Sequence, residues 1–160
     1  MKPKAQTLQQ RMGFADPDLA TPKHDALMVE LDSNIKHYLS TINLAQFAGF
    51  KDVEITDEIR RVTWEMAVTN HNRYVLGFTD LAVCAVGTTR TDAYRFDVWF
   101  YFEVKPVIAS VGEVIRQIRH YQTGVRSGFE LWVIASPDDR FRSVIEAQGI
   151  GFVQLPDCGA

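Results

Sequence analysis

Glu103 and Lys105, two residues apart at the end of an aromatic run, are the side chains most suited to chemistry. They close residues 94–106, YRFDVWFYFEVKP. Strand periodicity puts Val98, Phe100, Phe102 and Val104 on one face and Asp97, Trp99, Tyr101, Glu103 and Lys105 on the other. A carboxylate and an ammonium at the end of so apolar a strand are costly to bury unless paired or functional. Asp80, which ends the run GFTD in the preceding strand, is the third member. A hairpin turn centred between Thr91 and Asp92 sets Leu81 opposite Phe102 and Asp80 opposite Glu103. Such cross-strand neighbours sit about 4.5–5.5 Å apart at Cβ. The register keeps Leu81, Val83 and Ala85 on the same face as the apolar set of the aromatic strand, and a one-residue slip would break that match. Two carboxylates so close repel unless a cation lies between them. Hard oxygen ligands suit Mg2+, with Mn2+ as a substitute, and such a metal polarises a phosphate and acidifies bound water. Lys105 is placed to orient that water or to stabilise charge developing on phosphorus.

The elements that must position these groups follow from pattern. Thr21 and Pro22 read as N-cap and first helical residue. Leu27, Met28, Leu31, Ile35, Tyr38 and Leu39 then recur at helical spacing, with Glu30 and Asn34 on the flank. Residues 59–69 alternate as a strand, predicting one core face formed by Val62, Trp64, Met66 and Val68. NHNR at residues 70–73 is turn chemistry, and a second strand over 74–86 contains Gly77, a site for a bulge or a close backbone approach. The aromatic strand completes an antiparallel meander. Ser110 and Glu113 form a capping box opening a helix whose apolar stripe is Val111, Val114, Ile115, Ile118 and Val125. A wholly apolar strand over 131–135, a helix over 141–147 and a strand over 151–155 follow. The expected fold is α/β, a mixed central sheet with helices on both faces.

Asp80, Glu103-Val104-Lys105 and Gln117-Ile118-Arg119-His120-Tyr121, in that order on those elements, resemble the PD-(D/E)xK nuclease superfamily. The last motif is similar to the Q-x-x-x-Y element of the branch like the nuclease domains of bacterial recombination helicases. The resemblance covers roughly residues 22–136 and implies a restriction-endonuclease-like αβββαβ core. It also implies Mg2+-dependent hydrolysis of phosphodiester bonds in DNA. Asp80, Glu103 and the backbone carbonyl of Val104 would hold the metal, and Lys105 would act on the water or the transition state. Gln117 and Tyr121 would support the site, and Glu65 or Glu30 would complete the metal shell. Thr79 stands where the superfamily's signature places proline. The alternative is a catalytically inactive module of the same fold for nucleic-acid binding or assembly.

The remaining composition bounds the setting. The 160 residues are expected to form one domain over 21–160 preceded by a polar arm, residues 1–20, in which a short helix would end at Gly13. Two cysteines make no disulfide framework, so the expected setting is the cytoplasm, and no stretch reads as a signal peptide or a membrane span. His24, His37, His71 and His120 are scattered and read as surface or helix residues. A net charge of −3 argues against gripping nucleic acid by bulk charge. Local phosphate contacts are open to Arg60, Arg61, Arg116, Arg119, His120, Arg126, Arg140 and Arg142. DNA is the expected partner, with RNA and a homodimer left open, and no membrane partner.

Overall fold

A computed structural model of the chain describes residues 21–124 and 128–158. The arm and its short helix, as well as Val125 and Arg126, lie outside the described residues. Helix α1, Pro22–Ser33, starts as its sequence dictates: the Thr21 side chain accepts from the His24 N–H at 3.1 Å. The stripe expected in one helix is divided between two. Asn34 leaves helical geometry, and its amide and side chain both bond the Glu30 carbonyl before α2, Ile35–Ser40, begins. Asn competes for backbone groups in this way, which is why it ends helices. All six stripe residues are nevertheless buried.

The sheet has five strands in chain order: β1 (Val53–Thr69), β2 (Val75–Thr89), β3 (Arg95–Val104), β4 (Phe129–Ser136) and β5 (Gly151–Gln154). The first three run antiparallel, and β3, β4 and β5 are parallel, so the sheet is mixed. Between β3 and β4 lies α3, Val111–Tyr121, and between β4 and β5 lies α4, Arg142–Ala147. Ser110 caps α3 by accepting from the Glu113 N–H at 3.3 Å. Each face of the sheet carries its own core. Leu81, Val83, Ala85, Val98, Phe100, Phe102 and Val104 pack with α1 and α2. Ala82, Tyr101, Trp132, Ile134 and Phe152 pack with α3 and α4.

The β2–β3 register runs from Leu81 opposite Phe102 to Thr88 opposite Arg95, as the turn and the apolar face of β3 require. β1 differs from expectation in two respects. It starts at Val53, because β2 extends to Thr89 and supplies a partner there. Its apolar residues also do not share one face. Val62 packs on the α1 side, whereas Met66 and Val68 pack on the α3 side. Between them Glu65 has φ 54°, and this left-handed residue reverses the parity of the strand.

Candidate active site

The site begins where β2 and β3 part. Their ladder ends at Leu81–Phe102, while β1 and β2 stay paired as far as Thr69–Val75. Two side chains take over from the main chain at the split. Thr79 Oγ1 donates to the Phe102 carbonyl at 3.0 Å, and Asp80 Oδ2 accepts from the Val104 N–H at 2.7 Å. A proline at position 79 would have no hydroxyl for the first bond. In extended backbone the N–H and C=O of one residue open to the same side, so the Val104 carbonyl faces the same gap as Asp80. The next residue turns the other way, with the Lys105 N–H bonding the Ala135 carbonyl of β4.

Three acids are level across three strands. Asp80 lies one residue beyond the Leu81–Phe102 pair, which puts it beside Glu103. Glu65 falls between the pairs Trp64–Leu81 and Met66–Thr79, which puts it beside Asp80 from the opposite strand. Asp80 is 4 % exposed, Glu103 2 % and Lys105 8 %. One oxygen of Glu103, Oε1, is buried without a hydrogen bond, although neither Glu103 nor Lys105 is isolated. The Glu65 carboxyl is pushed up, first by burial, then by the negative charge of Asp80. The imidazole of His24 opposes that shift, and Asp25 adds to it.

Helix α3 closes the other side. Tyr121 lies so close to β2 that a Cβ on Gly77 would sit 2.4 Å from its ring. The glycine is there because the ring crosses the strand. Gln117 Nε2 donates to the Tyr121 hydroxyl at 3.1 Å, leaving the phenolic proton to point elsewhere. Burial and the nearby Glu103 push that phenol up to about 12, with Asp80 adding to the rise and Lys105 opposing it. Tyr121 continues a stack with Trp132, Tyr101 and Trp99, whose successive centroids are 5.5, 4.8 and 6.0 Å apart. These aromatics support α3, as the pattern of β3 implies.

The structure thus brings together Asp80, Glu103, Val104, Lys105, Gln117, Tyr121 and Glu65. Glu30 is set apart. Its Oε1 accepts from the Tyr38 hydroxyl at 2.7 Å, about 9 Å along α1 from the residue that does reach the site. That residue is His24, which the sequence marks as a surface or helix residue; it is in the helix but not on the surface. It is 3 % exposed, and its Nε2 lies 3.5 Å from Asp80 Oδ2. A signal was present: His24 continues the stripe Leu27, Met28 and Leu31 back by one turn, so a core position was already marked.

Most of the arginines among the described residues are engaged by the protein's own acceptors. Arg60 pairs with Asp97 at 3.2 Å, Arg140 with Asp138 at 2.8 Å and Arg142 with Glu146 at 3.0 Å, while Arg119 bonds Gln122 and the Gln148 carbonyl. Arg116 and His120 stand exposed on α3. Cys84 and Cys158 are free thiols, and no helix among the described residues is long and apolar enough to cross a membrane.

Among the described residues no three His, Cys, Asp or Glu side chains are grouped to hold a metal ion. Two carboxylates and a backbone carbonyl facing one gap are still a donor set that fits Mg2+, which keeps several waters and needs only one or two carboxylates. Comparison with protein-family models, with curated proteins and with solved structures finds no significant match to this chain.

Proposed function

We propose that the protein is a metal-dependent nuclease of restriction-endonuclease-like fold that hydrolyses phosphodiester bonds in DNA. The observation that carries this reading is the convergence of buried Asp80, Glu103 and Lys105 at the split between β2 and β3. The element order, one helical layer followed by three meander strands, α3 and β4, supports the same core. Asp80, Glu103 and the Val104 carbonyl would hold Mg2+, with Glu65 and His24 bordering them. When bound, Mg2+ supplies positive charge to a phosphate oxygen and lowers the pKa of water.

The chain's own groups do the rest. The Val104 N–H fixes one Asp80 oxygen, Oδ2, and the other would be offered to the metal. Lys105, 8 % exposed and one residue past the end of β3, would present its ammonium beside Glu103 to orient water or to meet charge developing on phosphorus. Tyr121 keeps its proton at neutral pH, so it donates rather than adding a fourth negative charge. Gln117 holds that hydroxyl in place.

The test is cleavage of labelled DNA in Mg2+ by the wild type, Lys105→Ala and Asp80→Asn. Each substitution is expected to lower the rate by about two orders of magnitude or more, the scale of a lost electrostatic stabiliser. Equal rates in all three proteins would refute the assignment. Calorimetry with Mg2+ and Mn2+ separates the inactive module: no metal uptake and no cutting would identify it.

A further inference from the structure

We infer that the tip of the β1–β2 hairpin is a grip for an unpaired strand of nucleic acid, holding it about six nucleotides from the site. This rests on the nuclease reading for its orientation but not for the contact itself. The hairpin overshoots the rest of the sheet. β1 and β2 remain paired to Thr69–Val75, past the end of β3, so the tip projects beyond Glu103 and Lys105. Its composition departs from the chain's. Residues 66–79 contain no Asp or Glu, although the protein has 20 such residues and a net charge of −3. The same segment carries His71 and Arg73, and α3 beside it exposes Arg116 and His120. A polyanion therefore meets positive or neutral surface on this path, which is charge complementarity of a local kind.

Tyr74 supplies the second element. It is the most exposed large hydrophobic residue among those described, at 70 %. Its main chain is nonetheless well held. Asn70 Oδ1 accepts from the Tyr74 N–H at 3.0 Å and from the Asn72 N–H at 2.9 Å, and the Asn70 N–H donates to the Tyr74 carbonyl at 3.0 Å. A rigid turn thus presents an uncovered ring, with Arg73 at φ 64° immediately before it. Aromatic rings bind unpaired bases by stacking without regard to sequence, and a duplex keeps its bases already stacked.

The hairpin's inner side is anchored to the site. Tyr121 lies over Gly77, and a Cβ on Gly124 would sit 2.8 Å from the Thr69 carbonyl, so the end of α3 and the turn after it pack closely on the hairpin. Six residues of strand separate Asp80 from Tyr74, about 20 Å at ~3.3 Å per residue. At ~3.4 Å per nucleotide of stacked strand this corresponds to roughly six nucleotides.

The experiment measures fluorescence anisotropy without divalent metal. The probes are a labelled single strand of about 20 nucleotides, a matching duplex and a single strand of about four nucleotides. Tyr74→Ala is expected to weaken binding of the long single strand by about five- to 150-fold, the range of one lost stacking contact. Tyr74→Phe should bind like the wild type, and Arg73→Ala should reduce the slope of log K against log salt by about one. The four-nucleotide strand is long enough to stack on Tyr74 and should register Tyr74→Ala as well, which locates the contact at the tip itself. The position is exposed, and matched melting temperatures would confirm intact folding. Wild-type affinity in both Tyr74→Ala and Arg73→Ala, no binding of any oligonucleotide, or an equal loss on duplex would each overturn the inference. Cleavage in Mg2+ is scored separately. Binding that depends on Tyr74 without cutting leaves the grip and removes the nuclease, and cutting that ignores Tyr74 on long strands does the reverse.

Discussion

Glu65 combines two costs in one residue. Its φ of 54° lies in the left-handed region, which costs a non-glycine residue of order 1 kcal/mol or more. Its carboxyl also stands half-buried beside Asp80. Because the folded-state pKa is raised above the ordinary Glu value, the folded protein holds this proton more tightly than the unfolded chain does. Its stabilising effect is full below the usual Glu range and is lost as pH rises through the raised pKa. Glu65→Gln is therefore expected to raise the melting temperature at pH 7–8 relative to wild type and to show no such gain near pH 4. Thermal unfolding across that range, followed by circular dichroism, checks the sign. His24 carries the complementary lesson: a polar residue on an apolar helical stripe marks a partner inside, and here the partner is Asp80.

Among the elements, β2 and the loop after β3 do most to fix the site. Gly77→Ala forces the Tyr121 ring to move, since the new Cβ would meet three of its atoms at 2.4–2.9 Å. Tyr121 packs on Trp132 and is bonded by Gln117, so the displacement should destabilise by about 1–3 kcal/mol, as overpacking does. Adding Tyr121→Ala should recover much of that stability, which denaturant unfolding of the double variant will show. The loop from Lys105 to α3 is clamped differently. Asp138 Oδ2 accepts from the buried Ile108 N–H at 3.0 Å, and Arg140 Nη2 donates to the Ile108 carbonyl at 3.3 Å. Hydrogen bonds from Arg140 and from backbone amides hold the Asp138 carboxyl well below the usual range. Its contribution is thus present above the unfolded Asp pKa and lost only in strong acid. Asp138→Ala leaves the Ile108 N–H without its acceptor and should cost about 1–3 kcal/mol at neutral pH, measured by urea unfolding.

The whole molecule is a sheet buried between two helical layers, and its centre is β3. Phe100 and Phe102 are fully buried on the α1 side, and Tyr101 and Trp132 fill the other. Phe100→Ala is expected to cost about 3–5 kcal/mol, a large share of the ~5–15 kcal/mol that holds a domain together. The melting temperature reads this directly. Glu103 lies in the same strand and Lys105 follows directly on it, so the DNA cleavage proposed above should also fall in such a variant at temperatures where it remains folded.

Periodicity and turn chemistry alone determined β3, its two faces and its register with β2, because a strand whose sides differ so strongly in polarity can pair in only one way. They also placed Asp80 beside Glu103 and marked Gly77 as a point of close approach. Tertiary structure alone decided the rest. No residue pattern encodes a left-handed Glu65, so the reversal that divides Val62 from Met66 between two cores was hidden. The break at Asn34 had a local cause but competed with an unbroken apolar stripe. His24, rather than Glu30, reaches Asp80 because α1 packs on the sheet with its first turn at the split between β2 and β3. That placement is set by the summed packing of many side chains, and no single residue in the sequence carries it.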